Sequence, residues 1–202
     1  MRSLLFAVAG VSGSGKTSLA HYLKTAFTEQ GQYSCCVLAQ DSYYRDFSAR
    51  SLTERAAINF DHPASFDHKT LIQSLQSLKA GQSIEMPQYD YAEHKRASKV
   101  CQQVPVDVII FEGILALHWP QIRSLVDTGV YLKTPLETCF ERRLARDVKQ
   151  RGRVESSVRA QFKNHVEPMF EQYVAPQRQW ADIVASDGGS NRWVYDSLLK
   201  EM

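Results

Sequence analysis

The chain has 202 residues, of which 44% are hydrophobic and 10% aromatic, and its formal net charge is +2. That length suits one domain with a sizeable core, and the apolar share excludes an intrinsically disordered chain. The near-balanced charge argues against a nucleic-acid coat or a membrane-surface binder.

The first apolar run, Leu4–Ala9, has the length of a strand and stops at Gly10. It is too short to span a membrane, only Arg2 precedes it, and no small-residue cleavage pattern follows, so neither an anchor nor a secretion signal is expected. Behind a glycine-rich turn, Leu19, Leu23, Ala26 and Phe27 recur at helical spacing until Gly31. Cys35–Ala39 reads as a second strand ending just before Asp41, with Cys35 and Cys36 both in the core. Leu71, Ile72, Leu75 and Leu78 form a helical stripe led in by Asp67 and closed by Gly81.

Residues 83–105 break into two short polar-aromatic runs, read as a β-hairpin insertion. Residues 106–111 make the strongest strand, ending at Glu112-Gly113, and 129–132 give another short one. Thr134-Pro135-Leu136-Glu137 is expected to open a helix, with Thr134 as cap, Pro135 in the first turn and Glu137 completing a capping box. Val158, Phe162, Val166, Met169 and Tyr173 continue helically, with Pro168 expected to interrupt them. Residues 183–185 are a last strand, and residues 193–199 a last helix. Strands alternating with helices predict a single α/β domain over 1–202, three-layered α/β/α with a mainly parallel sheet. The cysteines, Cys35, Cys36, Cys101 and Cys139, form no CxxC pair, which points to a reducing, cytoplasmic setting.

The chemistry begins at Gly10-Val11-Ser12-Gly13-Ser14-Gly15-Lys16-Thr17, which matches GxxxxGK[ST] between a strand and a helix and continues into Ser18. Glycines let backbone amides turn onto phosphate oxygens, and the helix behind adds its positive end. Lys16 would reach the β and γ phosphates and Thr17 would ligate Mg²⁺, as in the P-loop NTPase fold. Strand ends in such sheets converge on one crevice, which brings Asp41 and Glu112 toward that metal. One of these acids can act as general base and the other can hold Mg²⁺.

Arg142, Arg146, Lys149 and Arg153 would share a helix face if the helix ran that far. Arginines around Gly152 beside a phosphate loop suit a lid over 146–160 that neutralises a transferring phosphoryl group. The six histidines show no metal-ligand spacing. His94 stands apart because Tyr89-Asp90-Tyr91-Ala92-Glu93-His94 suits a flat, hydrogen-bonding ligand such as a base.

Taken together, these blocks resemble the uridine kinase (uridine/cytidine kinase) family from Gly10 to Asn191. The carriers are GVSGSGKTS, AQDSYYRD (39–46), NFDHPASFD (59–67), PQYDYAEHKR (87–96), IIFEGIL (109–115), RRLARDVKQRGR (142–153) and QFKNHVEPMF (161–170). The resemblance implies Asp41 as general base for a nucleoside 5′-hydroxyl, Tyr44 and Phe60 as pocket walls, and Asp61 on the ribose hydroxyls assisted by Arg143 and Gln161. It implies Tyr89 and His94 at the pyrimidine edge, Tyr91 packed on it, Arg153 on the nucleoside, Arg146 and Arg151 facing the triphosphate, and Glu112 near Mg²⁺. It further implies ATP or GTP as donor, a pyrimidine-salvage role, a homotetramer, and inhibition by pyrimidine triphosphates. The family often carries an arginine before its paired glycines, whereas this chain has Asp187.

Two other readings are open on sequence. A relative with another acceptor, such as a phosphoribulokinase, pantothenate kinase or nicotinamide riboside kinase, would share the donor site. A sugar phosphate would need extra cations where 87–94 offers aromatics, acids and one histidine. A non-catalytic nucleotide-binding module would have no need of Asp41 or of the arginines around Gly152.

Overall fold

The computed structural model describes residues 3–91, 93–186 and 191–202. Five strands, β1 (Leu4–Ala9), β2 (Cys35–Ala39), β5 (Val108–Gly113), β6 (Thr128–Lys133) and β7 (Ile183–Ser186), form a parallel sheet in the order β2-β5-β1-β6-β7. Strands β3 (Ile84–Asp90) and β4 (Lys95–Gln103) make a separate antiparallel hairpin with a register shift between Pro87 and Tyr89. The alternation of β1 explains the layering. Leu5, Ala7 and Ala9 point into one buried cluster, while Phe6 and Val8 point into a second.

The second cluster is covered by α1 (Lys16–Glu29) and the C-terminal α8 (Asn191–Leu198), whose Val194, Tyr195 and Leu198 pack beside Phe27. The first is covered by α3 (His68–Lys79) and by the segment after α5 (Leu136–Arg151). The short helix α4 (Pro120–Arg123) adds Ile122 to that cluster, and the short helix α2 (Leu52–Ala56) buries Arg55 against Glu93. After α6 (Glu155–Gln161) the chain passes through a π-helical turn, α7 (Glu167–Met169) and another π-helical turn before ending in 3₁₀ turns at Trp180. Pro168 has no N–H to give the α ladder, and the flanking bonds run five residues back, from Glu167 N to Phe162 O and from Ala175 N to Phe170 O.

Several expectations shift here. β5 begins at Val108 rather than at 106, because Asp107 commits its backbone N–H and carboxylate to Ser34. The strand runs through Glu112 to Gly113, so Glu112 lies inside the sheet opposite Val8 and Ala39 rather than beyond its end. Cys36 is buried in the first cluster, whereas Cys35, on the opposite face of the edge strand, is half-buried against the second. The segment around Asp187 lies outside the described residues. Among those described, no helix is long and apolar enough to cross a membrane.

Candidate active site

The phosphate-loop sequence folds as a loop pressed between sheet and helix. Gly13 has φ +90°, and a Cβ there would sit 2.2 Å from the Cys139 carbonyl oxygen, so α5 backbone packs directly on the loop. Thr134 Oγ1 donates to Ser14 O at 3.0 Å. This corrects the expected helix cap: Pro135 occupies the cap position with no side-chain bond, because the Thr134 hydroxyl is committed to the loop. The N-terminus of α1 carries neither a side-chain cap nor an acid in its first turn, leaving its amides for an anion. Ser12, Gly13, Gly15, Lys16, Thr17 and Ser18 line a cavity of about 500 Å³, with Gly10 and the buried Ser14 behind them.

On the floor of this cavity Thr17 Oγ1 donates to Glu112 Oε1 at 2.9 Å, and Lys16 Nζ stands 3.8 Å from Glu112 Oε2. Burial pushes the Glu112 carboxyl above its ordinary value, and Lys16 opposes that push. Glu112 Oε2 is buried without a hydrogen bond, an arrangement that suits a cation rather than a packed core. Gly113 lets Gln40 lie across the strand end, where Gln40 Oε1 accepts from Leu115 N at 2.8 Å. Asp41 follows in the 3₁₀ turn Gln40–Tyr43, and the Tyr91 hydroxyl donates to its Oδ2 at 3.1 Å. The charge of Asp41 raises the pKa of both Glu112 and Asp61, and all three line the same cavity.

The opposite wall is aromatic. The Tyr44 ring lies 5.0 Å from Phe60 and 5.0 Å from Tyr89, and Phe60 stacks on His94 at 5.5 Å with 16° between planes. His94 holds φ +50°, a left-handed conformation that turns the hairpin tip toward this wall. Burial and the arginines Arg153, Arg55 and Arg151 lower its pKa, which favours the neutral ring with one donor and one acceptor. Asp61 is buried with its pKa raised by desolvation, offset by Arg143 at 3.8 Å. Gln161 Oε1 accepts from Arg143 at 2.9 Å and from Arg153 at 2.6 Å.

The cavity therefore gathers Asp41, Tyr44, Phe60, Asp61, Tyr89 and Tyr91 with His94, Glu112, Arg143, Arg146, Arg151, Arg153 and Gln161. The anticipated basic helix face forms only in part: α5 carries Arg142, Arg146 and Lys149 but stops short of Arg153. Gly152 turns left-handed and ends α5, and Arg153 lies past it with its N–H on Asp147 O. Sequence reasoning missed Asp147, fully buried, which ion-pairs with Arg143, Arg146, Arg151 and Arg153. Its spacing of four residues from both Arg143 and Arg151 was the available signal. Arg55 and Arg96 were also missed. Arg55 Nε donates to Glu93 O and Arg96 Nε to Tyr44 O, each at 2.8 Å, which pins the hairpin to the body.

A family model described as "Phosphoribulokinase / Uridine kinase family" matches residues 5–192. A protein named uridine kinase from Shewanella amazonensis is 46% identical over 199 residues, covering 96% of this chain and 92% of its own length. Among solved structures, phosphoribulokinase from Rhodobacter spheroides superposes with a TM-score of 0.70 at 14% identity, covering 92% of this chain and 70% of its own. A candidate fructose transport system kinase from Silicibacter reaches 0.72 at 22% identity, covering 91% and 90%. The last two speak for the fold. With the family match spanning nearly the whole chain, this protein belongs to the phosphoribulokinase/uridine kinase family.

Proposed function

We propose that this chain transfers the γ-phosphoryl group of ATP or GTP to the 5′-hydroxyl of uridine or cytidine, giving UMP or CMP in pyrimidine salvage. The observation that carries the reading is one continuous cavity with a phosphate loop on one wall and an aromatic box with a buried acid on the other. Asp41 lines this cavity together with Glu112 and Asp61. Proteins named uridine kinase at 45–46% identity support the same substrate class.

In this reading the amides of 12–18 and Lys16 hold the triphosphate, with Arg146 and Arg151 beside its terminal group. Tyr44, Phe60 and Tyr89 enclose the base, neutral His94 meets its hydrogen-bonding edge, and Asp61 with Arg143, Arg153 and Gln161 takes the ribose. Tyr91 closes over the base from the hairpin tip. Asp41 accepts the 5′-hydroxyl proton as the oxygen attacks phosphorus, exchanging its Tyr91 partner for the substrate. A loose phosphoryl transition state leaves little covalent work, so positioning and charge neutralisation dominate. Residues 146–160 serve as the lid that excludes water.

Mg²⁺ fits the donor set at Thr17 and Glu112, with Asp41 nearby, and would neutralise charge on the β and γ phosphates when bound. Among the described residues no cluster of three or more His, Cys, Asp or Glu could hold a metal alone, so the bound phosphates would complete its shell. A cytoplasmic homotetramer is what the family resemblance implies for the assembled enzyme. The test is product identification by ³¹P NMR with uridine and 5′-deoxyuridine. Uridine should give a 5′-monophosphate signal, while 5′-deoxyuridine should compete for binding without being phosphorylated. Phosphorylation of 5′-deoxyuridine would reject the assignment.

A further inference from the structure

The buried carboxylate of Asp147 divides its two oxygens between two pairs of arginines. Oδ1 faces Arg146, whose Nη2 is 2.8 Å away, and Arg151, whose Nη1 is 3.5 Å away. Oδ2 faces Arg143 Nε at 3.6 Å and Arg153 Nη1 at 3.4 Å. Beyond Asp147 the two pairs have different further partners. Arg143 and Arg153 meet at Gln161, and Arg143 reaches Asp61. Arg151 lies 4.2 Å over the Tyr91 ring, whose hydroxyl holds Asp41. One buried anion thus stands behind two pairs of arginines that line the same cavity.

Four guanidinium groups this close repel one another, and a fully buried carboxylate is the counter-ion that holds them together. A triphosphate offers stronger acceptors to the Oδ1 pair. As Arg146 and Arg151 turn to it, the negative charge of Asp147 is left to the Oδ2 pair. We propose that Asp147 is a positioning residue that couples the two substrates: triphosphate binding releases its carboxylate to Arg143 and Arg153 and so tightens the nucleoside side. This rests on the nucleoside kinase reading for which substrate meets which pair.

The test is calorimetry of uridine binding to the full chain, with and without the β,γ-imido analogue of ATP plus Mg²⁺. Wild type should bind uridine at least about fivefold more tightly with the analogue present, within the usual range of site-to-site coupling. Asp147→Asn keeps the side-chain shape but removes the charge, and should bring that ratio to within about twofold of one. Asp147→Glu should restore part of it. A general packing defect would lower both affinities and leave their ratio unchanged.

Should Asp147→Asn fail to fold, a double-mutant cycle of Arg146→Gln and Arg153→Gln on uridine binding replaces it. These arginines meet at Asp147, so their effects should be non-additive. An Asp147→Asn ratio equal to that of wild type, or strict additivity in the cycle, overturns the coupling. So does a wild type that binds both ligands with a ratio of one. A wild type that binds the analogue but neither uridine nor cytidine instead overturns the nucleoside reading beneath it.

Discussion

Replacing Thr134 by valine tests whether its hydroxyl serves the phosphate loop or the helix it precedes. Thr134 and Ser14 are both buried, at 7% and 0% exposure, and the 3.0 Å bond joins them across 120 residues of sequence. Valine matches threonine in shape, so Thr134→Val removes the donor and leaves the Ser14 carbonyl short of a partner at a cost of about 1–3 kcal/mol. For a domain of this size ~2–4 °C accompanies each kcal/mol, so the melting midpoint should fall by roughly 2–12 °C. If ~1 kcal/mol of the loss is felt as disorder of the loop, ATP affinity falls about fivefold. Uridine affinity, set on the opposite wall, should hold.

The discriminating partner is Thr134→Asn. Asparagine is a better helix cap than threonine, so a capping role would leave that variant as stable as wild type. In the observed geometry the longer side chain cannot keep the short hydroxyl bond, and the midpoint should drop. Differential scanning calorimetry and titration with the imido analogue read both quantities. A Thr134→Asn protein with an unchanged midpoint, beside a Thr134→Val protein with wild-type ATP affinity, would refute the reasoning.

Asp41→Asn should lower turnover by about 10²–10⁴ while ATP binding persists. A rate near wild type in stopped-flow single turnover would remove Asp41 from the role of base. Gly13→Ala places a Cβ 2.2 Å from the Cys139 carbonyl in a backbone at φ +90°. The loop must shift, and kcat/KM for ATP should fall by about 10²-fold or more. Unchanged kinetics would mean that α5 can yield. Glu112 has its pKa raised above the ordinary 4.5, so its ionised form costs the folded state, and that cost grows as pH rises from below 4.5 through the raised value. The melting midpoint of unliganded Glu112→Gln, minus that of wild type, should therefore increase over this window. A difference that shrinks with rising pH would show the opposite sign.

Much of the fold was legible because its signals are local. β1 and β2 fall where the apolar runs lie, since a parallel sheet flanked by helices selects short continuous hydrophobic stretches. The phosphate loop was equally readable, because its glycine spacing, lysine and threonine serve one ligand within eight residues. What sequence could not weigh was competition across the chain. Thr134 carries a complete local capping signature, yet Ser14 claims its hydroxyl. Asp147 looks like one more solvated acid in a charged helix until Gly152 folds Arg153 back over it. Arg55 and Arg96, which hold the hairpin over the cavity, act on backbone carbonyls 38 and 52 residues away, where no spacing rule reaches.

The central claim is that a phosphate loop and an aromatic nucleoside box share one cavity for transfer to a pyrimidine nucleoside. The most direct measurement is coupled ADP release with Mg-ATP against uridine, cytidine, nicotinamide riboside, pantothenate and ribulose 5-phosphate. Saturable turnover is predicted with uridine or cytidine and with none of the others. Silence with both nucleosides in protein that binds ATP, or turnover of ribulose 5-phosphate in their place, would contradict the account.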